Sequence, residues 1–378
     1  MAKFIVSASA FAKALGRVTP ALINNPVVPI LENVLLECRA TAHSHELLLT
    51  CSDLETVLQA RLPVEAREEW HLCVPGKKLL DTLKALPDQP VTCTVELETC
   101  AFGLAAARSR YNLAGENAAD YPNRPAAGEA KPLRLPANEL RTALAGVLPT
   151  VGTDELRPNM CGVYFEKAGE ALVSMASTDG HRLHQYTFLP DSPTDGFIVP
   201  RKAAGFLLPL LEASGNEEIE LIASNGFAHL ADGRWSSRLI DERFPDYRNV
   251  IPLHHPNVAV VDRDEMMAAM RRLDRYTNSA YRAARLEFEP NSVRLAANDL
   301  DFANDGNEVV DCAYEGEPLA IGFNCPFVLA QLGVLPAGPV RLQMSQPNRA
   351  WLATADSEGN SPKLLTLLMS VSLDVVNL

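Results

Sequence analysis

Phe197-Ile198-Val199-Pro200, followed by Phe206-Leu207-Leu208, decides the fold, because the chain keeps repeating this unit. A short apolar strand meets a proline or polar break, and an amphipathic helix follows with apolar residues at i, i+3 and i+4. Phe4-Ile5-Val6, Ser7 and Phe11-Ala12-Lys13-Ala14-Leu15 form the first copy. Leu72-Cys73-Val74, Pro75 and Lys78-Leu79-Leu80-Asp81-Thr82-Leu83 form the second. Leu133-Arg134-Leu135, Pro136 and Leu140-Arg141-Thr142-Ala143-Leu144 form the third, and the opening stretch is the fourth. The fifth, Val258-Ala259-Val260, has Asp262 as helix cap and Glu265 three residues on, a capping-box spacing. The sixth is Leu319-Ala320-Ile321, with Asn324 and Pro326 opening its helix. The strand ends Val6, Val74, Leu135, Val199, Val260 and Ile321 recur every ~61 to 68 residues, the mark of an internal repeat.

Between the helices the chain reads as strands: 34–38, 46–50 and 56–62 in the first third, then 162–166, 172–176 and 184–188 in the middle third. Lys167-Ala168-Gly169-Glu170 and Asn225-Gly226 supply turns. Proline-rich stretches at 121–136 and 245–256 cut the six units into three pairs. One unit has a single amphipathic helix and a half-buried sheet, so it cannot close a core alone, whereas two can. The expected fold is α+β: three similar domains, residues 1–126, 127–254 and 255–378, each a pair of βαβββ units.

The composition fits. The 378 residues are 47% hydrophobic but only 6% aromatic, so Leu, Val, Ile and Ala must build the cores. No apolar run approaches the ~20 residues of a membrane helix. The start, Met1 to Ser7, is too short an apolar run for a signal peptide, and a cytoplasmic protein is expected. The eight cysteines contain no C-x-x-C pair and sit among apolar neighbours, as reduced core residues do. With 34 Lys+Arg against 47 Asp+Glu the net charge is −13, which argues against nucleic acid unless a basic surface is local.

Two runs are distinctive. Ser177-Thr178-Asp179-Gly180-His181-Arg182-Leu183 lies between two strands. It reads either as an Asp-Gly hairpin turn with His181 and Arg182 exposed, or as a base and its orienter, or metal ligands, built on Asp179 and His181. The run from Leu239 to Pro252 reads as a connector anchored by Phe244 and Tyr247, with a short apolar pocket beside it equally compatible. No Walker A run, dinucleotide fingerprint, nucleophile elbow or H-E-x-x-H appears. Gly76-Lys77-Lys78 is one glycine without a phosphate cradle, and reads as a solvated helix start. Basic residues recur on five of the six helices, among them Lys13 and Arg17, Lys77 and Lys78, Arg141, Arg201 and Lys202, and Arg271, Arg272 and Arg275.

Together these residues resemble the bacterial β sliding clamp family, the processivity subunits of DNA polymerase III. The resemblance spans the chain. It is carried by Pro29-Ile30-Leu31-Glu32-Asn33, Ser52-Asp53-Leu54-Glu55, Thr178 to Leu183, Ile198-Val199-Pro200-Arg201-Lys202, and Phe244-Pro245-Asp246-Tyr247-Arg248-Asn249-Val250-Ile251-Pro252. It implies a non-enzymatic, cofactor- and metal-free clamp: a head-to-tail homodimeric ring that encloses duplex DNA. Such a ring tethers the replicative polymerase, with a clamp loader and other clamp-binding-motif proteins as partners.

By position, the resemblance implies a partner-peptide pocket of Met160, Thr178, Gly180, His181, Arg182, Leu183, Pro245, Asn249, Val250, Leu367, Met369 and Val371. DNA-facing bases would be Lys13, Arg17, Lys77, Lys78, Arg141, Arg157, Arg201 and Lys202. The ring seam would use Arg108, Arg110, Tyr111 and Leu113 on one side and Arg275 and Tyr276 on the other, where the family usually has aliphatic residues. Asn25 and Pro158-Asn159 replace an arginine and an aromatic pair of the family. The usual ending, close to Met-Pro-x-Arg-Leu, is here Met369-Ser370-Val371-Ser372-Leu373 plus an extra Asp374-Val375-Val376-Asn377-Leu378, a tail expected beside the pocket.

Overall fold

The computed structural model describes residues 1–122, 130–168, 171–189, 195–356 and 363–373. The 126/127 boundary with Pro125, the turn at Gly169-Glu170, and the tail 374–378 lie outside the described residues.

Six α-helices and 24 strands are present among the described residues. The helices are α1 (Ala8–Val18), α2 (Gly76–Lys84), α3 (Ala137–Val147), α4 (Arg201–Ser214), α5 (Arg263–Leu273) and α6 (Cys325–Gly333). Each directly follows a strand of the repeat: Ala2–Ser7, Trp70–Pro75, Leu133–Pro136, Asp195–Pro200, Asn257–Asp262 and Leu319–Asn324. The caps explain the switch from strand to helix. The Ser7 side chain accepts from Ala10 N, Asp262 from Asp264 N and Glu265 N, and Asn324 from Phe327 N. Each cap satisfies amides that have no partner inside the helix, and each has extended backbone, as a cap residue must. Pro209 lies inside α4, the longest of the six, a position the repeat pattern did not mark.

The chain forms two compact units: residues 1–137 with 206–239, and residues 138–205 with 240–378. Each holds one 12-stranded antiparallel sheet. The middle third contributes four strands to each. In the first unit Thr56–Ala66 pairs with Trp235–Arg238, Leu58 opposite Trp235. In the second, Arg182–Thr187 pairs with Leu364–Leu368, Leu183 opposite Leu367. The hairpin at Asn225-Gly226 forms as read, both residues at positive φ, as this two-residue turn requires.

The cores are aliphatic with a few aromatic anchors. Fully buried Phe4 stacks on Trp70 with centroids 5.3 Å apart, and α1 packs beside α2. In the second unit α5 packs beside α6, and its Met266, Met267 and Met270 lie in one cluster with Phe323 and Trp351, whose rings are 4.2 Å apart. The Trp351 indole N–H donates to Gln331 Oε1 at 2.6 Å. The eight cysteines are free thiols, six of them buried. Burial pushes Cys38 up to about 11 and Cys73 up to about 12, which keeps them protonated and unreactive.

His184 is fully buried on strand Arg182–Thr187, with Nδ1–H donating to the Gly146 carbonyl at 2.7 Å. Burial holds its pKa down to about 4. An unfolded histidine titrates near 6.5, so the unfolded chain takes the proton first. The neutral ring's contribution is therefore complete above about pH 6.5 and is lost as pH falls towards 4, about 3 kcal/mol in all. Urea unfolding at pH 7 and pH 4, with wild type set against a His184 variant, isolates this loss from that of the carboxylates titrating in the same interval. His184→Asn, which keeps a donor for Gly146, is expected to lose correspondingly less stability over the same interval.

Candidate functional site

The site is built on the hairpin Ala171–Thr178/Arg182–Thr187. Thr178 Oγ1 donates to Arg182 O at 2.7 Å and accepts from Gly180 N at 3.1 Å. Gly180 takes φ +90, a conformation closed to most side chains. The Arg157 guanidinium lies over it: a Cβ there would be 3.0 Å from Arg157 Nη1.

Asp179 is consumed by the turn. Its Oδ1 accepts from His181 N at 2.9 Å and Arg182 N at 2.8 Å, and its Oδ2 from Arg182 Nε at 2.9 Å and Nη2 at 2.7 Å. A carboxylate so occupied has no lone pair aimed at a substrate or metal. Among the described residues no three His, Cys, Asp or Glu side chains gather into a metal-holding group.

Arg182 corrects the turn reading. It is not exposed: only 13% of its side chain is accessible. Asp179 grips it in a forked pair, and its guanidinium lies 4.3 Å over the Phe327 ring of α6. His181 stacks against the same ring at 6.3 Å. Phe327 went unread in the sequence because it is one apolar residue on an apolar helix. The Asn324 cap, whose side chain accepts from Phe327 N, marks the first turn on which it sits.

Below the turn, Leu183 and Leu367 pack with Ala176, Ile198, Phe244, Tyr247, Ala350 and Leu352 into an apolar floor. Burying each leucine stabilises by about 1.5–3 kcal/mol. Phe244 and Tyr247 anchor the connector as read, with Tyr164 stacked on Phe244 at 4.8 Å. Above the floor, apolar surface stays open. Val250 is 56% and Met369 42% exposed, Met160 and Pro245 are half-buried, and Asn249 is exposed. Met369 N donates to His181 O at 2.9 Å, which brings the C-terminal segment to the turn. Asn159 Nδ2 donates to Arg243 O at 3.2 Å, which ties the segment before Met160 to the connector. Val371 is engaged elsewhere: its N–H donates to Gly322 O at 2.8 Å, on strand Leu319–Asn324.

The remaining candidates are placed as follows. Lys13, Arg17, Lys77, Lys78, Arg141, Arg201 and Lys202 are all exposed on helices α1 to α4, and Lys77 Nζ donates to Asn24 Oδ1. Arg157 departs from them. It lies on the loop beside Gly180 and pairs with Asp154 at 2.9 Å. On α5, Arg272 is held by both oxygens of Glu308, at 2.7 and 2.8 Å.

Arg110, Tyr111 and Leu113 lie on strand Ser109–Ala114, an edge of the first sheet, and Arg108 in the turn before it. The strand is exposed on both faces apart from half-buried Leu113. Arg275 and Tyr276 follow α5, and Tyr276 covers Gly306, where a Cβ would be 3.1 Å from its Cγ. Gly306 belongs to strand Asn304–Glu315, whose residues 304–311 pair only with Ser292–Asp299 among the described residues. That second open edge was missed in the sequence.

A family model described as the DNA polymerase III beta subunit, N-terminal domain, matches residues 2–125; the central-domain model matches 134–246 and the C-terminal-domain model 248–367. The beta sliding clamp of Vibrio cholerae is 33% identical over 354 residues, 93% of this chain and 95% of that protein. That of Escherichia coli K12 is 31% identical over 348 residues, covering 91% and 93%. A crystal structure of the Pseudomonas aeruginosa sliding clamp bound to griselimycin shares the fold with a TM-score of 0.89 at 28% identity, covering 98% of this chain and 100% of that one. The chain therefore belongs to the beta sliding clamp family, the DNA polymerase III beta subunits. It is a DNA sliding clamp and processivity factor, an accessory protein with no catalytic activity of its own.

Two glycines separate a positional requirement from mere space. Gly180→Ala forces a side chain into positive φ and against Arg157. It is expected to cost about 1–2 kcal/mol. Gly205, inside α4 with nothing within 4 Å of a Cβ, is expected to gain about 0.5–1 kcal/mol as Ala. Chemical denaturation of the two variants beside the wild type checks both signs.

Proposed function

We propose that two copies of this chain close head to tail into a ring around duplex DNA, each copy carrying three domains, residues 1–126, 127–254 and 255–378. The observation that carries the ring is that two of the open sheet edges carry opposite charge. Strand Ser109–Ala114 brings Arg110, with Arg108 beside it, and residues 304–311 bring Asp305 and Asp311, while Glu308 between them is held by Arg272. An unpaired edge is a template for another chain, and unlike edges on one molecule favour heterologous contacts, which form a ring where the rotation between copies closes. Topology then holds the DNA, so the exposed bases of α1 to α4 need only screen phosphates, which leaves sliding free.

The apolar floor under Leu183 and Leu367, with open Val250 and Met369 above it, suits a short peptide of the replicative polymerase, the clamp loader or other clamp-binding-motif proteins. The griselimycin-bound relatives support a ligand site on this fold. Tethering by such a peptide holds the polymerase at high effective concentration near the primer end. The working compartment is the cytoplasm.

Light scattering is expected to give twice the 41.1 kDa protomer mass. Arg110→Glu places like charges across the seam and is expected to weaken the dimer about tenfold or more. With a cognate clamp loader, the protein is expected to stay on nicked circular DNA and to leave once the circle is cut. A protein that leaves circle and linear DNA equally fast is not acting as a ring.

A further inference from the structure

We propose that the buried carboxylate of Glu166 positions the connector wall of the peptide site, acting through Tyr247 and Arg248. This rests on the peptide-site reading above. One oxygen, Glu166 Oε2, accepts three hydrogen bonds: from Ser174 Oγ at 2.6 Å, from Tyr247 OH at 2.7 Å and from Arg248 Nη2 at 2.9 Å. The Glu166 side chain is 11% accessible. A buried charge leaves its donors little freedom, because an unmade bond to it is costly. Tyr247 and Arg248 open the one-turn helix Tyr247–Val250, which also carries Asn249 and Val250 of the site. Fixing the first two residues of a four-residue helix fixes the last two.

A second anchor acts on the same wall. A Cβ at Gly196 would lie 2.5 Å from the Tyr164 ring, so the glycine leaves room for Tyr164 to lie flat against Phe244. The corresponding place in the first third lacks this grip. There Glu37, four residues into its strand as Glu166 is into its own, turns to Arg39 at 2.8 Å. Tyr121 OH meets backbone, the Thr50 carbonyl at 3.4 Å, rather than Glu37. The carboxylate clamp accompanies the apolar site rather than the repeat.

The test uses full-length protein and griselimycin as the probe. Glu166→Gln and Tyr247→Phe are each expected to weaken griselimycin binding about fivefold by calorimetry, and the double variant by less than the two losses combined, since both remove the Glu166–Tyr247 bond. Amide exchange in residues 247–251 is expected to speed about tenfold in each variant, with strand Gly162–Ala168 unchanged. Wild-type affinity in both single variants, additive losses, or unchanged exchange at 247–251 overturns the proposal. Failure of the wild type to bind griselimycin overturns the peptide-site reading instead; the exchange measurement still decides whether Glu166 holds the wall.

Discussion

The second unit depends on one antiparallel pairing, Arg182–Thr187 against Leu364–Leu368. Strand 182–187 belongs to the middle third of the chain and strand 364–368 to the last. Without the pairing, both would be sheet edges with backbone groups unmet beneath a buried face. His184 and Thr366, facing each other across it, are both fully buried. A slip of one residue would exchange the two buried faces, turning Leu183 and Leu367 away from the apolar floor and His184 and Thr366 into it. The first unit uses the same solution in shorter form, with Trp235–Arg238 on Thr56–Ala66.

The pairing also makes the site. Setting Leu183 opposite Leu367 creates the apolar floor, and running the chain on past Leu368 lets Met369 reach the His181 carbonyl. The Asp179 carboxylate then locks the turn, and Phe327 of α6 supports Arg182 from beneath. Apart from the Asp179 lock, which is local to the turn, these contacts join residues far apart in the chain. The site thus lies where strands from two thirds of the chain meet, and rigid strands position it better than a free loop would.

What the sequence made legible follows the range of the interactions. Strand ends, helix starts, the Asp262 cap, the breaks at Ser7 and Asn324 and the Asn225-Gly226 turn are local, so spacing and residue type reveal them. The polar strand Trp-Ser-Ser-Arg at 235–238 carries no alternation of its own, and only its partner makes it a strand. Arg182 reads as exposed because its neighbours are polar, yet Asp179 and the distant Phe327 bury it. Glu166 reads as one more strand carboxylate, until Tyr247 and Arg248 close on it from 81 and 82 residues away. The edge at 304–311 was hidden for the converse reason: an absent pairing leaves no mark in local sequence. The net charge of −13 is compatible with DNA because charge acts locally, and the bases lie exposed on the helices.

Native-state hydrogen exchange at strands 182–187 and 364–368 tests the central claim most directly. If their pairing holds the second unit together, their slowest amides open with the same free energy as those of the core strand Ala283–Glu289. Exchange of 364–368 at a distinctly lower free energy, with 283–289 still protected, would show a frayed edge docked on a finished core and would contradict the account.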